Sequence, residues 1–332
     1  VQPITRIPVT DTTQVGEARR AIARIAGTAG LSETDAGAAA IVANELANNL
    51  VHYGKDGAIL VQARPGQAIV EILSIDRGPG IADVGRSLRD GFSTGGTPGN
   101  GLGAVKRMSA EFDIYSQPEV GTVVYSAIGT LEALPKFQCV GLALAAPAET
   151  VCGDAWRVRS SNDSIQFVMA DGLGHGPDAA EASDRACDVL NADAAVEPQV
   201  ALHQAGGLLA STRGAAVAIG TWSRPAATLK YAGAGNISGV VVHSGRSHGL
   251  LSHHGIVGKQ MRTPRQADYE APADAVLVLH SDGIQTRWSP SDWPGLFSRH
   301  PAIIAACILR DCVRGKDDAS VLVIRAAQRR AS

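Results

Sequence analysis

Four aspartates placed where strand-like runs end constrain this chain more than any other feature. Asp154, Asp171, Asp282 and Asp317 lie far apart in sequence, and three of them adjoin a glycine, in Cys152-Gly-Asp154, Asp171-Gly-Leu-Gly-His-Gly176 and Ser281-Asp-Gly283. The fourth stands in Lys316-Asp-Asp318. Apolar runs at 165–170 and 275–280 precede two of them. A single Asp in such a place is usually a turn or cap residue. Four in the same setting make that reading poor. Carboxylate oxygens at strand ends suit a hard divalent cation, and a neighbouring glycine lets a backbone carbonyl approach it. A fold that uses all four must bring several strand ends to one place.

The chain has 332 residues, enough for two domains, and its 45% hydrophobic content lets each half bury a core. Only 4% of residues are aromatic, so the cores must be built from Ala, Val, Leu and Ile. With Lys+Arg 30 against Asp+Glu 32, a nucleic-acid surface is not expected. No apolar run of about 18 residues and no leader pattern is present, so no membrane association is expected. Five cysteines without a Cys-x-x-Cys pair argue against a disulfide framework or a zinc site, and the expected compartment is the cytoplasm.

Two composition regimes divide the chain, with a junction expected at 133–138, where Pro135 stands. In the first, residues 3–10 read as a strand. Asp11 with Gln14 forms a capping-box pattern that opens a helix to about residue 29. Ser32 with Asp35 opens a second helix to about residue 53. Strands are expected at 58–63, 68–75 and 121–128. Between the last two lies a glycine-rich stretch at 91–103, followed by a helix at about 104–111. In the second regime, apolar alternating runs occur at 139–146, 151–158, 165–170, 214–223, 227–232, 238–243, 275–280 and 319–325. Helices interrupt them at about 178–191 and 197–211. That pattern predicts a layered β-sandwich flanked by helices.

Within the first regime, Glu45 and Asn49 are four apart and share one face of the second helix. A carboxylate there can take a proton from a hydroxyl, and an amide oxygen can ligate Mg²⁺. The plain alternative is a solvated polar stripe. Asp76-Arg-Gly-Pro-Gly80 follows an apolar strand and is either an ordinary turn or a grip on the exocyclic amine of a base. The stretch from Phe92 to Gly103 ends at a helix start, where N–H groups can hold phosphates. Together, in this order, the three features resemble the ATP-binding boxes of the GHKL superfamily. Asp90-Gly-Phe-Ser-Thr-Gly95, Gly101-Leu-Gly-Ala-Val-Lys-Arg107 and Glu111-Phe112 are similar to the RsbT and RsbW group of serine kinases. The resemblance covers roughly residues 1–130. It implies an α/β sandwich whose mixed sheet carries helices on one face. It further implies Glu45 as catalytic base, Asn49 as Mg²⁺ ligand and Asp76 as adenine contact, with Gly78, Gly80, Gly101 and Gly103 shaping the nucleotide site and lid. The lid departs from the family's tighter repeat at Thr97-Pro98-Gly99-Asn100. Lys106 and Arg107 are candidates for the γ-phosphate or for a solvated helix face.

The second regime resembles the PPM family of metal-dependent Ser/Thr phosphatases, in the SpoIIE and RsbX branch. The residues that carry this are Glu149-Thr-Val-Cys-Gly-Asp-Ala-Trp156, Met169-Ala-Asp-Gly-Leu-Gly-His-Gly176, Thr212-Arg-Gly-Ala-Ala216, Tyr231-Ala-Gly-Ala-Gly-Asn236, Ser281-Asp-Gly283 and Asp317-Asp-Ala-Ser320. It covers about residues 138–326 and implies an α-β-β-α sandwich. Asp154, Asp171, Asp282 and Asp317 would then hold two Mn²⁺ or Mg²⁺ ions, with Gly172 giving its carbonyl, Asp154 and Asp171 central to catalysis, and Asp318 a neighbour. His175 is read as a packing or orienting residue and Arg213 as an acid partner or a phosphate contact. His253-His254 reads as loop surface. The four tryptophans read as core or rim residues, and Cys307 with Cys312 as helical.

These resemblances place a GHKL-type kinase domain at 1–132 and a PPM-type phosphatase domain at 139–328. They imply a bifunctional switch that phosphorylates a STAS-domain antagonist with ATP and Mg²⁺ and dephosphorylates a phospho-Ser/Thr protein. A stressosome-like complex or a downstream regulator is the implied setting, and a homodimer is left open. Two rivals remain. One is a phosphatase whose ATP-binding domain senses nucleotide or docks a partner without transferring phosphate. The other is a non-catalytic anti-sigma-like binding module.

Overall fold

A computed structural model describes residues 4–89, 101–131, 136–161, 163–191, 196–261 and 265–327. Contacts divide it into two units, one of residues 4–133 with 298–310 and the other chiefly of 134–297 with 311–332. Residues 298–310, expected inside the second domain, therefore cluster with the first.

The N-terminal unit begins with β1 (Thr5–Pro8), α1 (Thr12–Thr28) and α2 (Glu33–Tyr53). Asp11 and Gln14 close the predicted capping box on α1, and the Ser32 hydroxyl accepts from the Asp35 N–H at the start of α2. Then come β2 (Ala58–Ala63), β3 (Ile69–Ile75), the single turn α3 (Val84–Ser87), α4 (Gly101–Met108), β4 (Glu111–Gln117) and β5 (Gly121–Gly129). The strands form one sheet in the order β1-β2-β3-β5-β4. Every pairing in it is antiparallel, not mixed as expected. The reason lies in the connections. β2–β3 and β4–β5 are hairpins, and the long segment after β3 returns the chain so that β5 runs against it. β4 was not anticipated, because Glu111-Phe-Asp-Ile-Tyr-Ser-Gln117 carries more polar than apolar residues, as an edge strand can. The expected helix at 104–111 starts instead at Gly101 and stops at Met108.

One face of this sheet packs on helices. Ile22 of α1, Leu46 and Leu50 of α2 and Val105 of α4 join Ile59, Val61, Val70, Ile72 and Val124 in a single core. Each buried aliphatic contributes roughly 2 kcal/mol. The opposite face is covered too, which departs from the expected one-sided arrangement. The ring of His300 stacks on Tyr125 with centroids 4.4 Å apart, and the His300 N–H donates to Asp113 Oδ2 at 2.7 Å. Beside them Arg64 pairs with Glu71 at 2.8 Å and with Glu111.

The C-terminal unit continues with β6 (Phe137–Leu144), β7 (Asp154–Ser160), β8 (Ser164–Gly172), α5 (Pro177–Cys187), α6 (Pro198–Leu208), β9 (Ala215–Ser223) and β10 (Thr228–Ala234). β11 (Ser238–His243), β12 (Arg246–Leu250), β13 (Ser252–His253), β14 (Ala267–Glu270), β15 (Val276–His280), α7 (Pro301–Cys312) and β16 (Ala319–Ala326) complete the chain. One sheet runs β13-β10-β9-β8-β7, with β14 also on β10, and the other runs β12-β11-β15-β16-β6. Ile165, Phe167 and Met169 of β8 face Leu277, Leu279, Leu322 and Ile324 of the second sheet. Val168 and Ala170 point the other way, onto the helices, with Ala182 and Leu202. β8 is thus buried on both faces, which explains the unbroken apolar stretch Phe167-Val-Met-Ala170. α5 and α6 cover the first sheet, while α7 clusters with the N-terminal unit up to Arg310. No helix among the described residues is long and apolar enough to cross a membrane.

Candidate functional site

The N-terminal candidates are arranged by α2, β3 and α4. Burial of Leu46, Ala47 and Leu50 fixes the rotation of α2, which leaves Glu45 and Asn49 half-buried one turn apart. The first residue of α4 abuts them. A Cβ on Gly101 would lie 2.9 Å from Glu45 Oε2 and 3.9 Å from the Asn49 amide, so only glycine leaves this space clear. Gly103 is buried two residues further on, and Lys106 and Arg107 are exposed in the last turn of α4. Asp76 caps its own turn, with Oδ1 accepting from the Gly78 N–H at 2.6 Å. Burial raises the Asp76 carboxyl above its ordinary range, against the Gly78 hydrogen bond and the nearby Arg310 charge. Arg310 Nη1 also donates to the Asp76 carbonyl at 3.0 Å. Gly78 sits so close to the end of α2 that a Cβ would meet the Tyr53 carbonyl at 2.5 Å, and Gly80 has φ +73°. The structure thus joins the predicted residues through α2. Glu45, Asn49 and Gly101 meet along its C-terminal half, with Asp76 and Gly78 at its end, while Gly80 lies against Gln117 and Pro118. The stretch 90–100, which holds most of the expected lid, lies outside the described residues.

In the C-terminal unit the strand register does the gathering. Asp154, the first residue of β7, lies directly opposite Asp171 near the end of β8. Like charges in facing positions are unfavourable in a sheet, so this pairing needs a compensating partner. From the second sheet, the Ser320 hydroxyl donates to Asp154 Oδ2 at 2.7 Å, and Ser281 accepts the Ser320 N–H at 3.0 Å. Asp282 follows β15 and accepts from the Asn236 amide at 2.6 Å. Asp317 and Asp318 precede β16. Asp318 is buried, and its Oδ1 accepts the Ala146 N–H at 2.8 Å. Gly172 is fixed by close approach to α5, since a Cβ there would stand 2.0 Å from the Ala179 carbonyl.

Electrostatics shows that these carboxylates share one region. Burial raises Asp171, and the charges of Asp154, Asp282, Asp317 and Asp318 raise it further. Burial also raises Asp154, with hydrogen bonds from Ser320 and Ser281 opposing it. Asp154 Oδ1 and Asp318 Oδ2 are buried without a hydrogen-bond partner. Such orphaned anionic oxygens are costly, and a divalent cation is the group that suits them. The donor set therefore fits Mg²⁺ or Mn²⁺. Among the described residues no three acidic, His or Cys side chains close on a single point, so the four predicted ligands stand near one another without forming a finished cage.

Sequence reasoning missed the residues that hold the carboxylates in place. Ser281, Asn236 and Ser320 lay inside quoted motifs, but only the fold shows which acid each one serves. His175 is exposed, with Nδ1 2.7 Å from Glu149, and Arg213 pairs with Asp178 at 2.6 Å. His253 lies in β13 and His254 is exposed. Trp222 and Trp293 are buried, each donating its indole N–H at 2.8 Å, to the Ala271 carbonyl and to Asp311 respectively.

Residues 161–327, half of the chain, match the family described as stage II sporulation protein E (SpoIIE). The chain belongs to the SpoIIE family. Residues 8–127 of this SpoIIE-family chain match the histidine kinase-like ATPase domain. Within that part, the serine/threonine-protein kinase RsbT of Bacillus subtilis (strain 168) is 40% identical over 83 residues, 24% of this chain. The match spans 62% of RsbT's own length. Among solved structures, a chain of the bacterial stressosome, a modular system adapted to control secondary messenger signaling, is 26% identical with a TM-score of 0.54. It covers 57% of this chain and 100% of that one. RsbX in complex with magnesium is 18% identical with a TM-score of 0.53, covering 60% of this chain and 99% of RsbX, a likeness of fold. A GHKL-type unit followed by a PPM phosphatase fold is the architecture of this SpoIIE-family chain.

Proposed function

We propose that this protein is a switch enzyme with two opposed activities, an ATP-dependent Ser/Thr kinase at about 1–132 and a phospho-Ser/Thr phosphatase at about 139–328, with 133–138 as the junction. The facing pair Asp154 and Asp171, with orphaned carboxylate oxygens beside it, carries the hydrolytic half. Asp154, Asp171, Asp282 and Asp317 with the Gly172 carbonyl would hold the divalent ions, and Asp318 would steady the set. Cations bound there supply positive charge to the attacking water and the phosphoryl oxygens. The chain's own part is positional. Ser320 and Ser281 orient Asp154, and Asn236 orients Asp282. In the reaction, the water oxygen bonds to phosphorus, the P–O bond to the Ser or Thr side chain breaks, and a proton ends on the released hydroxyl.

The kinase half runs the phosphoryl group the other way. Glu45 takes the acceptor hydroxyl's proton as its oxygen bonds to the γ-phosphorus and ADP leaves. Asn49 would hold Mg²⁺ and Asp76 the adenine, with Gly78, Gly80, Gly101 and Gly103 shaping the nucleotide site and lid. The likeness to RsbT and to a stressosome chain supports a STAS-domain protein as substrate and the cytoplasm as its setting. The test is direct. The STAS-domain protein encoded nearest to this one is incubated with the enzyme, ATP and Mg²⁺, then with Mn²⁺ after ATP removal, and its intact mass is followed. Gain of one phosphate and then its loss is the expected result. Absence of both changes would sink the proposal for that substrate.

One contact favours a second reading, a phosphatase whose GHKL unit senses nucleotide. The Asp76 turn is held by Arg310 of α7, and the chain leaving α7 leads directly to Asp317. That reading predicts phosphate loss without prior gain.

A further inference from the structure

Besides the acidic centre, the C-terminal unit holds a basic cavity that no step above uses. It measures about 460 Å³ and is lined by Gln285, Thr286, Arg287, Arg314 and Lys316. The two loops that form it also carry Asp282, Asp317 and Asp318 of the acidic centre. Gln285 donates its N–H to the Cys312 carbonyl and Arg314 donates to the Gly283 carbonyl, each at 2.8 Å, while Ile284 bridges Val313. Gly283 follows Asp282, and Lys316 precedes Asp317.

What sets this lining apart is the grouping of three cations around one hollow. Arg157, Arg185 and Arg213 of the same unit pair with Asp188, Glu181 and Asp178. Arg287, Arg314 and Lys316 are exposed, and none pairs with a carboxylate among the described residues. Three unmatched cations around one hollow, in a chain of net charge -2, favour an anionic occupant. The hollow is larger than one phosphoryl group needs and falls in the range that takes a ligand of several residues' bulk, roughly 300–1,000 Å³. Guanidinium forks suit carboxylates in that space.

We infer that this cavity is a specificity subsite that binds acidic side chains flanking the phosphorylated residue of the protein substrate. The inference rests on the hydrolytic reading above. Carboxylates approaching the acidic centre are repelled by Asp282, Asp317 and Asp318, and the three cations offset that repulsion on one side. The subsite thereby selects one direction of approach for an acidic substrate.

The experiment uses the full chain with Mn²⁺ and three substrates: p-nitrophenyl phosphate and two phosphoserine peptides that differ only in Glu or Gln flanks. The wild type is expected to show a KM roughly tenfold lower for the Glu peptide, as three exposed ion pairs allow, with the advantage shrinking as salt rises. The triple variant Arg287→Ala, Arg314→Ala, Lys316→Ala should erase that advantage with kcat unchanged and p-nitrophenyl phosphate turnover unaffected. Equal KM values for both peptides in the wild type overturn the inference, as does an equal slowing of p-nitrophenyl phosphate in the variant. A second arm measures fluorescence anisotropy of the labelled Glu peptide without phosphate or metal. Binding by the wild type and its loss in the variant support the subsite, and equal binding by both overturns it. If the wild type hydrolyses none of the substrates, the hydrolytic reading fails while the anisotropy still decides the cavity.

Discussion

The two candidate centres are assembled in different ways. In the N-terminal unit, one helix sets the main pair, because Glu45 and Asn49 are a turn apart on α2 and Gly101 simply leaves them room. In the C-terminal unit no element holds the centre alone. Asp154 and Asp171 come from adjacent strands of one sheet, and Asp282, Asp317 and Asp318 come from loops of the other. A helix-borne pair tolerates loss of one member, because each side chain is placed independently. A centre built from repelling carboxylates at strand ends disfavours full ionisation, and a divalent cation or a bound proton must relieve it. The first site is accordingly expected to lose chemistry alone when mutated, and the second to exchange chemistry for stability.

The largest expected effect tests that contrast. Asp171→Asn should reduce phosphoester hydrolysis by roughly a thousandfold, the scale of losing a central charged group. Without divalent ions it should also stabilise the C-terminal unit by on the order of 1 kcal/mol, seen as a higher melting temperature, because a neutral amide replaces a carboxyl that burial and its acidic neighbours keep from ionising. Glu45→Ala should reduce phosphoryl transfer by about a hundredfold or more while ATP binding and stability stay level. Kinetics with phosphorylated substrate and calorimetry in EDTA check both. If Asp171→Asn destabilised the metal-free protein, the charge-repulsion account of this centre would be wrong.

The same contrast explains what could be read from the sequence. The capping signals at Asp11 and Ser32 and the i, i+4 spacing of Glu45 and Asn49 are local, so α1, α2 and the N-terminal pair were legible directly. β8 was legible because burial on both faces leaves four consecutive apolar residues, Phe167 to Ala170. β4 was not, since Glu111, Asp113 and Tyr125 join a polar network on the far face of the sheet, which disguises a strand as a helix end. The small strands β12, β13 and β14 are short or exposed and carry little pattern. The acids of the second centre were visible as motifs, but their register was not. Nothing local predicts that Asp154 faces Asp171, or that Ser320 from another sheet steadies Asp154. Nor does the sequence of α7, apolar around most of its circumference, say which unit it joins.

A middle-sized effect concerns that far face. Arg64 is the cation among Glu71, Glu111 and Tyr125, and the three surround it so closely that its guanidinium is held more firmly charged than usual, against a desolvation that opposes it. Arg64→Leu leaves the buried Glu71 and the half-buried Glu111 carboxylates without their cation. Breaking a fully buried pair costs about 3–5 kcal/mol, and the partial exposure of Arg64, at 22%, lowers the expectation to roughly 2–4 kcal/mol. Chemical denaturation should show the N-terminal transition moving to lower denaturant, with the C-terminal one unmoved. A shift of both by the same amount would mean that the network does not belong to the N-terminal unit alone.

The smallest expected effect is a pH dependence at the same place. Burial lowers the His300 imidazole below its ordinary value, with Glu111, Glu71 and Asp113 opposing that shift and Arg64 reinforcing it. The ring also stacks on Tyr125, so the neutral form is the one the fold accommodates. In the unfolded chain His300 takes up a proton as pH falls through about 6.5, while in the folded protein it resists until lower pH. The unfolded state therefore binds more protons in that window. The contribution is complete above pH 6.5 and is lost as pH falls below it. The melting temperature of the N-terminal unit should decline between pH 7.5 and 5.5, above the range where Glu111 titrates. His300→Phe keeps a ring against Tyr125 and removes the titration, so its decline should be shallower than the wild type's. A wild type and variant with parallel pH profiles would place the acid sensitivity of this unit elsewhere, and would leave the Tyr125 stack as a packing contact only.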